Sequence, residues 1–526
     1  MFDSPKLQSP RRRLQVLFLL LFVVAAAQAS FAQNTTALPK KLPSAEKIVD
    51  NYLKAIGGKK AAGALKDATY EWTVHLNQQP IGTSRTQRKA PASERVELTF
   101  GNGQIISASN ARSAWEVGLD GRLRTLTGPE SAAAKLRASL DSSRLINFKK
   151  ANILARVVSL GDLASEPAYI VEFSTRSGAR FQYYFSVKTW LITKITGDVR
   201  NTKVLFEDYR PEHGILEPHR VRMNVEGSGE LTLQLHSVKY DTGIDDRLFD
   251  PPAATENLDV AALLREVGQN QDELENRVAE YAFKQTETDR AIDSKGQLKK
   301  QTVKVYEVYP LPNREAVEKL ISENGVPLSP ERAAKEDRRV QEEFAKAERE
   351  KEKDEKKVAQ RRAEREKRKS EGEEATEVSA FLRACEFVSP RREVLSGREA
   401  IVFDFRPRTS FKPKNTEESL IAKLVGVAWI DPVDKQVIRL EARLAEGFKM
   451  AGGLLVSLKP GAALVMEQTR MVQGVWLPKF AQMNLSVKVL LFGGGDYNKT
   501  IEWSDYKHFA GDVKEYKLDT PVNVKP

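Results

Sequence analysis

At 526 residues the chain is too long for one ordinary domain and suits about two or three. Apolar residues make up 41% and charged residues 29%, the composition of folded domains joined to a highly polar segment rather than of a disordered chain. The formal charge of +11 is carried by Lys and Arg interleaved with acids, and no RNA- or DNA-reading motif accompanies it. Nucleic acid is therefore set aside as a partner, while contact with an anionic membrane surface stays open.

The N-terminus opens with Arg11 to Arg13, an apolar run from Leu14 to about Ala27, and the small-x-small pattern Ser30-Phe31-Ala32. Residues 1–32 read as a secretory signal peptide and 33–42 as a linker, because the run is short for a spanning helix. The expected location is the periplasm or cell envelope, with an uncleaved N-terminal membrane anchor as the alternative. Cys385 is the one cysteine, so an intramolecular disulfide and a cysteine metal cage are both ruled out. Its apolar surroundings in "FLRACEFVS" predict a small buried hydrophobe rather than a nucleophile.

Pro43 and Ser44 mark a helix start, Ile48, Val49, Tyr52, Leu53 and Ile56 recur at helical spacing, and Gly57-Gly58 supplies the stop. From Ala68 the period changes to two. Short strands come next, among them "ATYEWTVHL", "SERVELTF", "AYIVEFST", "RFQYYFS" and "ELTLQLHSVKY", separated by turn formers such as Gly101-Asn102-Gly103 and Asp120-Gly121. A helix over roughly Gly128 to Leu140 interrupts them, and "DDRLFDPP" closes the unit near Pro252. One helix followed by a long antiparallel run predicts a curved open sheet or partial barrel with a helix against it.

The chain then repeats itself. "HGILEPHRVRMN" at His213 and "QGVWLPKFAQMN" at Gln473 share Gly-x-x-x-Pro and a terminal Met-Asn. Asp259 can cap a second helix with Val260, Leu263, Leu264 and Val267 on one face and Gly268 at its end. At a constant offset Tyr70 falls on Tyr281 and Trp72 on Phe283. Further on, "AYIVEF" answers to "AIVFDF", "FSVKTWLITKI" to "IDPVDKQVIRL", and "ELTLQLHSVKYD" to "KTIEWSDYKHF". The order is kept throughout, so one module is expected twice, over 43–252 and 257–526. The second carries an insertion at about 329–376, almost wholly Lys, Arg, Glu, Asp, Ala and Gln. Its Glu-to-Lys spacings predict a solvated single helix without a coiled-coil heptad, either a mobile excursion or an arm that docks an envelope protein or lipid headgroups.

Catalytic spelling is missing: the chain has no His-Glu-x-x-His, Cys-x-x-Cys or Gly-x-Ser-x-Gly. Five histidines are scattered, and His213 and His219 read as surface residues rather than metal ligands. "GGGDYNKT" at Gly493 lacks the second glycine of a phosphate loop and is followed by strand period, so it reads as a hairpin turn. The "SAEK" at Ser44 opens a helix without the companion motifs of penicillin-binding enzymes. No catalytic residue, metal site or cofactor is expected, and the protein reads as a non-enzyme.

The opening helix "LPSAEKIVDNYLKAIGG", the strand train, "GILEPHRV" and "DDRLFDPP" together resemble the LolA-like outer-membrane lipoprotein-sorting family. The resemblance implies an incomplete antiparallel barrel whose helices plug a concave face, and an apolar cavity for lipid or lipoprotein acyl chains without a cofactor. The fold class expected is mainly β with α: two tandem incomplete antiparallel β-barrels, each with packing helices, plus the charged helical insertion. Candidate lining residues are Trp72, Trp115, Phe173, Tyr183, Phe185 and Trp190 in the first module, and Phe283, Phe405, Trp429 and Trp476 in the second. Two readings stay open. One is a lipid or lipoprotein carrier; the other is an envelope structural or interaction protein whose cavity is filled with side chains.

Overall fold

The structure is a computed structural model. It describes residues 42–508 apart from 147, 164–165, 226–228, 255, 279, 294–295, 312–315, 350–375, 451–455, 472–473 and 490–492. The signal-peptide segment, the linker up to residue 41 and most of the charged insertion lie outside the described residues.

Ser44 starts the first helix, α1 (Ala45–Ala55), by accepting a hydrogen bond at Oγ from Lys47 N at 3.3 Å. Its buried face holds Ile48, Val49 and Leu53. Gly57 and Gly58 end it with φ of +127° and +102°, and Gly58 N closes on Leu53 O at 2.8 Å. A Cβ at Gly57 would stand 2.3 Å from Gly214 O, so the stop is also a close approach to a distant turn. A short helix, α2 (Lys59–Ala64), leads into the sheet.

The first sheet opens with β1 (Asp67–Leu76), β2 (Gln79–Lys89), β3 (Ser93–Phe100) and β4 (Gly103–Ser109). After β5 (Ala114–Val117) and β6 (Leu123–Thr125) comes the helix α3 (Gly128–Ser142). It continues with β7 (Leu154–Leu163), β8 (Glu166–Ser174), β9 (Arg180–Ser186) and β10 (Ile192–Gly197). It closes with β11 (Thr202–Glu212), β12 (Ile215–Val225) and β13 (Gly229–Tyr240). All neighbours are antiparallel, in the order β6-β5-β4-β3-β2-β1-β13-β12-β11-β10-β9-β8-β7. Because β1 pairs with both β2 and β13, the chain folds outward from a central strand and the sheet does not close.

The second half begins with α4 (Val260–Val278), β14 (Tyr281–Ile292), β15 (Leu298–Pro310), β16 (Ala316–Glu323) and the two-residue β17 (Val326–Pro327). Helical residues 330–349 form α5, and α6 (Thr376–Ala384) comes after the undescribed stretch. Next come β18 (Cys385–Leu395), β19 (Arg398–Pro407), the short α7 (Thr416–Ile421), β20 (Leu424–Ile430) and β21 (Val437–Leu444). The small strands β22 (Phe448–Met450) and β23 (Val456–Leu458) precede β24 (Ala463–Arg470), β25 (Trp476–Val489) and β26 (Gly493–His508). The order is β17-β16-β15-β14-β26-β25-β24-β21-β20-β19-β18, with β22 and β23 off this path. It is the order of the first sheet with β5 and β6 left out. The chain is therefore mainly β, built from two large open antiparallel sheets with helices against them.

Two local details recur at matching places. In the β9–β10 turn Ser186 N bonds Leu191 O at 2.9 Å, Trp190 N bonds Ser186 O at 2.9 Å, and Ser186 Oγ accepts from Lys188 N and Thr189 N. In the β20–β21 turn Asp431 N bonds Gln436 O at 2.9 Å, Lys435 N bonds Asp431 O at 3.0 Å, and Asp431 Oδ1 accepts from Val433 N and Asp434 N. Trp190 and Lys435 both take positive φ there. The Gly-x-x-x-Pro pair behaves likewise: Gly214 and Gly474 have φ of +84° and +83° immediately before β12 and β25. β12 pairs with β13 only from Arg220 onward, and β25 with β26 only from Phe480 onward. Each proline thus stands two residues before its strand gains its second neighbour, where its missing N–H costs no ladder bond.

Three expectations need correction. Asp259 does cap α4, accepting from Ala262 N at 2.9 Å, but Gly268 does not end it; the helix runs ten residues further, to Val278, with Gln, Glu, Leu and Arg supporting it among weaker formers. Gly493 to Gly495 are already paired in β26, so the hairpin connection lies earlier, at residues outside the described set. His219 is buried rather than superficial, with Nε2 2.9 Å from Glu212 Oε1 and Nδ1 3.2 Å from Glu217 O.

A candidate binding cavity in the second module

In the first module the helix-bearing face of the sheet is filled. Ile48, Val49 and Leu53 of α1 and Ala133, Leu136 and Leu140 of α3 form one core with Val171, Phe173, Tyr183 and Phe185. Phe206 joins this core to a second cluster of Tyr70, Trp72, Val74, Leu233 and Leu235. The two charged side chains Arg137 and Asp141 that α3 turns inward are both engaged. Arg137 reaches Glu94 at 2.6 Å, Arg88 bridges Glu94 and Asp141 at 2.8 and 3.3 Å, and Tyr183 donates to Asp141 at 3.0 Å. Burial alone would raise the Glu94 carboxyl, but the Arg137 and Arg88 guanidiniums outweigh it and hold it at about 2. Deeper in, Glu217 accepts from Tyr70 at 3.0 Å, Tyr240 at 2.8 Å and Arg144 at 3.2 Å.

The second module differs where the charged insertion begins. Ser329 caps α5, its carbonyl accepting from Ala333 N at 2.8 Å, with Pro330 in the first turn. The helix is not solvated all round: Ala333, Glu336, Asp337, Val340, Glu343, Phe344 and Ala347 form its less exposed stripe. Val340, Phe344 and Ala347 pack on Tyr309, Leu311 and Val317. Two bonds place α5 along the edge of β16: Leu320 N donates to Glu336 Oε2 at 3.3 Å, and Arg339 donates to Glu318 O. Lys319 pairs with Asp337 at 2.5 Å. Where the first sheet adds β4 to β6, the second adds a two-residue strand and then this helix, which covers the edge that would otherwise stay unpaired.

Between α5 and β14–β16 lies a cavity of about 640 Å³, within the usual size range of ligand pockets. Phe283, Tyr306, Val308, Leu311, Val317 and Leu320 supply its apolar wall, and Gln285, Glu318, Glu336, Arg339 and Glu343 its polar rim. Gln285 is fixed by Trp503 Nε1, which donates to its Oε1 at 2.8 Å.

Of the ten candidate lining residues, Phe283 alone lies on this cavity. Phe173, Tyr183 and Phe185 meet in the core beneath α1 and α3, with Phe173 and Tyr183 edge to face at 5.2 Å. Trp72 stacks on Tyr70 at 6.1 Å. Phe405 packs against Phe381 of α6 at 5.0 Å. Trp115 is fully buried, its Nε1 donating to Phe249 O at 3.0 Å. Trp429 and Trp476 share a cluster with Ala400 and Val402, while α4 packs on Ile401 and Phe403, the alternate positions of β19 and so its other face. Trp190 occupies the β9–β10 turn and stacks on Tyr169 at 5.4 Å. Sequence reasoning missed Tyr306, Val308, Leu320 and the three glutamates. The available signal was Val340, Phe344 and Ala347 at helical spacing inside an otherwise charged run.

The two sheets are joined by buried polar contacts. Arg391, Glu393 and Asp404 of the second are 2%, 7% and 0% exposed. Arg391 Nη2 reaches Thr125 Oγ1 at 2.6 Å and Asp404 Oδ1 at 3.1 Å, and Glu393 accepts from Thr125 N at 2.8 Å. Ser113 Oγ donates to Asp404 Oδ2 at 2.5 Å, and Arg443 Nε to Ala111 O at 2.7 Å. Cys385 is buried at the start of β18 beside Phe405, and burial pushes its thiol up to about 12, as suits a packing residue. Among the described residues no group of three or more His, Cys, Asp or Glu side chains is placed to hold a metal.

No family model and no curated protein matches the chain. Among solved structures, a DUF1329 family protein from Desulfovibrio piger overlaps 39% of this chain and 96% of its own, at 14% identity and a TM-score of 0.27. A LolA superfamily protein from Nitrosomonas europaea overlaps 40% and 99%, at 12% identity and 0.28. The Pseudomonas aeruginosa MucA/MucB complex overlaps 86% and 93%, at 8% identity and 0.18. Superpositions this loose do not carry a ligand or a role from one chain to another.

Proposed function

We propose that this is an exported, non-catalytic protein of the periplasm or cell envelope that binds acyl chains, with the second module as the binder and the first as its scaffold. The two modules read as copies of one unit, a reading supported by their common strand order and matching turns. The observation that carries the functional reading is the contrast between a closely packed first module and a second one with an open groove of about 640 Å³, apolar on its sheet side and polar at its rim. Each methylene moved from water to such a wall gains about 0.8 kcal/mol, and shape alone suffices for recognition. The filled first module is what the structural reading expects of that half.

The test is native mass spectrometry of the mature protein purified from its own envelope, followed by solvent extraction and lipid analysis. Ala316 is exposed and lines the cavity, so Ala316→Trp fills the space without removing a buried contact. Co-purifying lipid that disappears in Ala316→Trp, at an unchanged thermal midpoint, is the expected result. A lipid-free mass together with no uptake on incubation would sink the carrier reading and leave the structural one.

A further inference from the structure

The rim of the cavity has a charge that its wall does not explain. Glu336 and Glu343 project from α5 and Glu318 from β16, against a single guanidinium, Arg339. That guanidinium is already committed, with Nη2 2.8 Å from Glu336 Oε2 and a second bond to Glu318 O. Glu318 Oε1 accepts from Gln285 Nε2 at 3.0 Å, a neutral donor. Neither Glu318 nor Glu343 forms an ion pair with another described residue; Arg339 feels both only through longer-range attraction. Tyr306, on the apolar wall, reports the same field. Burial raises its hydroxyl above the ordinary value, and Glu287 and Glu318 push it further that way, with Lys499 opposing.

We infer that the cavity selects amphiphiles with a cationic ammonium head and turns away anionic fatty acids. This rests on the acyl-chain reading above and adds the chemistry of the head group. A fatty-acid carboxylate would meet the carboxylates of Glu318 and Glu343, which Arg339, bonded to Glu336, offsets only at longer range, and like charges repel. An ammonium is attracted to the carboxylates of Glu318 and Glu343 whether or not it carries an N–H, and the aromatic side chains of Phe283 and Tyr306 on the wall suit a cation–π contact.

The experiment is titration calorimetry of the full mature protein with dodecyltrimethylammonium, dodecyl maltoside and laurate, which share one chain length, below their micellar concentrations and at fixed ionic strength. The ammonium should bind at least about tenfold more tightly than laurate, with the maltoside between. Glu318→Gln combined with Glu343→Gln should collapse that preference while leaving the maltoside unchanged. Glu318 is exposed and Glu343 half-exposed, and the amide oxygen of Glu318→Gln can still accept from Gln285 Nε2. Laurate binding as tightly as the ammonium, or a preference that survives the double variant, overturns the inference. If all three bind alike, the head-group selectivity alone fails. If none binds, the acyl-chain reading fails and this inference with it.

Discussion

α3 and α5 occupy the same place in the two halves of the chain, each coming after the first run of strands, yet they do opposite things. α3 lies over its sheet, and its alanines and leucines let it come close enough to fill the face with Phe173, Tyr183 and Phe185. Two of the charges it carries are paired at the sheet, Arg137 with Glu94 and Asp141 with Arg88. α5 offers three apolar side chains, Val340, Phe344 and Ala347, and sets carboxylates beside them. A helix so charged cannot lie flat on an apolar face, because burying unpaired carboxylates costs more than the contact returns. It settles along the edge of β16 instead, and the space it leaves is the cavity. The difference between a filled and an open module thus comes down to which charges have partners.

Where the two halves are held to one another, loss of Arg391 should be felt most. Arg391→Ala leaves Glu393 buried without its cation and Asp404 with Arg112 alone, at 3.8 Å, and should cost about 3–5 kcal/mol. Chemical denaturation should show it, together with a separation into two transitions if the halves melt apart. Within the filled module, Leu136→Ala under α3 should cost about 2–5 kcal/mol in the same assay, since Leu136 is 2% exposed in a close-packed core.

The paired charges of α3 make a pH prediction. Glu94 is held at about 2 in the fold, below its ordinary value, so its stabilisation is complete above pH of about 4.3 and disappears as pH falls toward 2. The amount is on the order of 3 kcal/mol, and Glu94→Gln should flatten stability between pH 5 and pH 2 by about that much. A variant with the parental acid limb would show that the Arg137–Glu94–Arg88 cluster does not couple to folding. The smallest effect is expected at α5. Val340→Ala should cost about 1–2 kcal/mol, felt as release of the helix rather than as global unfolding. Hydrogen exchange at the Leu320 amide, which Glu336 now protects, should quicken while the core amides of β8 keep their rates.

Much of the local structure could be read from residues a few positions apart. Ser44 caps α1, Gly57 and Gly58 stop it, Asp259 caps α4, and the repeated Gly-x-x-x-Pro marks equivalent strand entries in both sheets, because each depends on backbone geometry that the nearby side chains set. Gly268 misled for the opposite reason: a glycine lowers helix propensity locally by about 1 kcal/mol, but by itself it does not end a helix that continues for ten more residues.

The site was far less legible. Period-two alternation separates the two faces of a strand but does not say which of them a helix covers, so Trp429 and Trp476 looked equivalent to Phe405 although they lie on the opposite face of the sheet from Val260, Leu263, Leu264 and Val267 of α4, with only Val278 at its end reaching them. Trp190 looked like a strand residue and sits in a turn at positive φ. Composition and periodicity by themselves determined the β-rich architecture, the starts of α1 and α4, the place of α3 and most strands of the first half, while β2, β15 to β17, α2 and α7 were not read from them. Only the tertiary structure decided that one face is filled and the other open, because that depends on the volume and charge of side chains brought together from β14, β16 and α5, far apart along the chain.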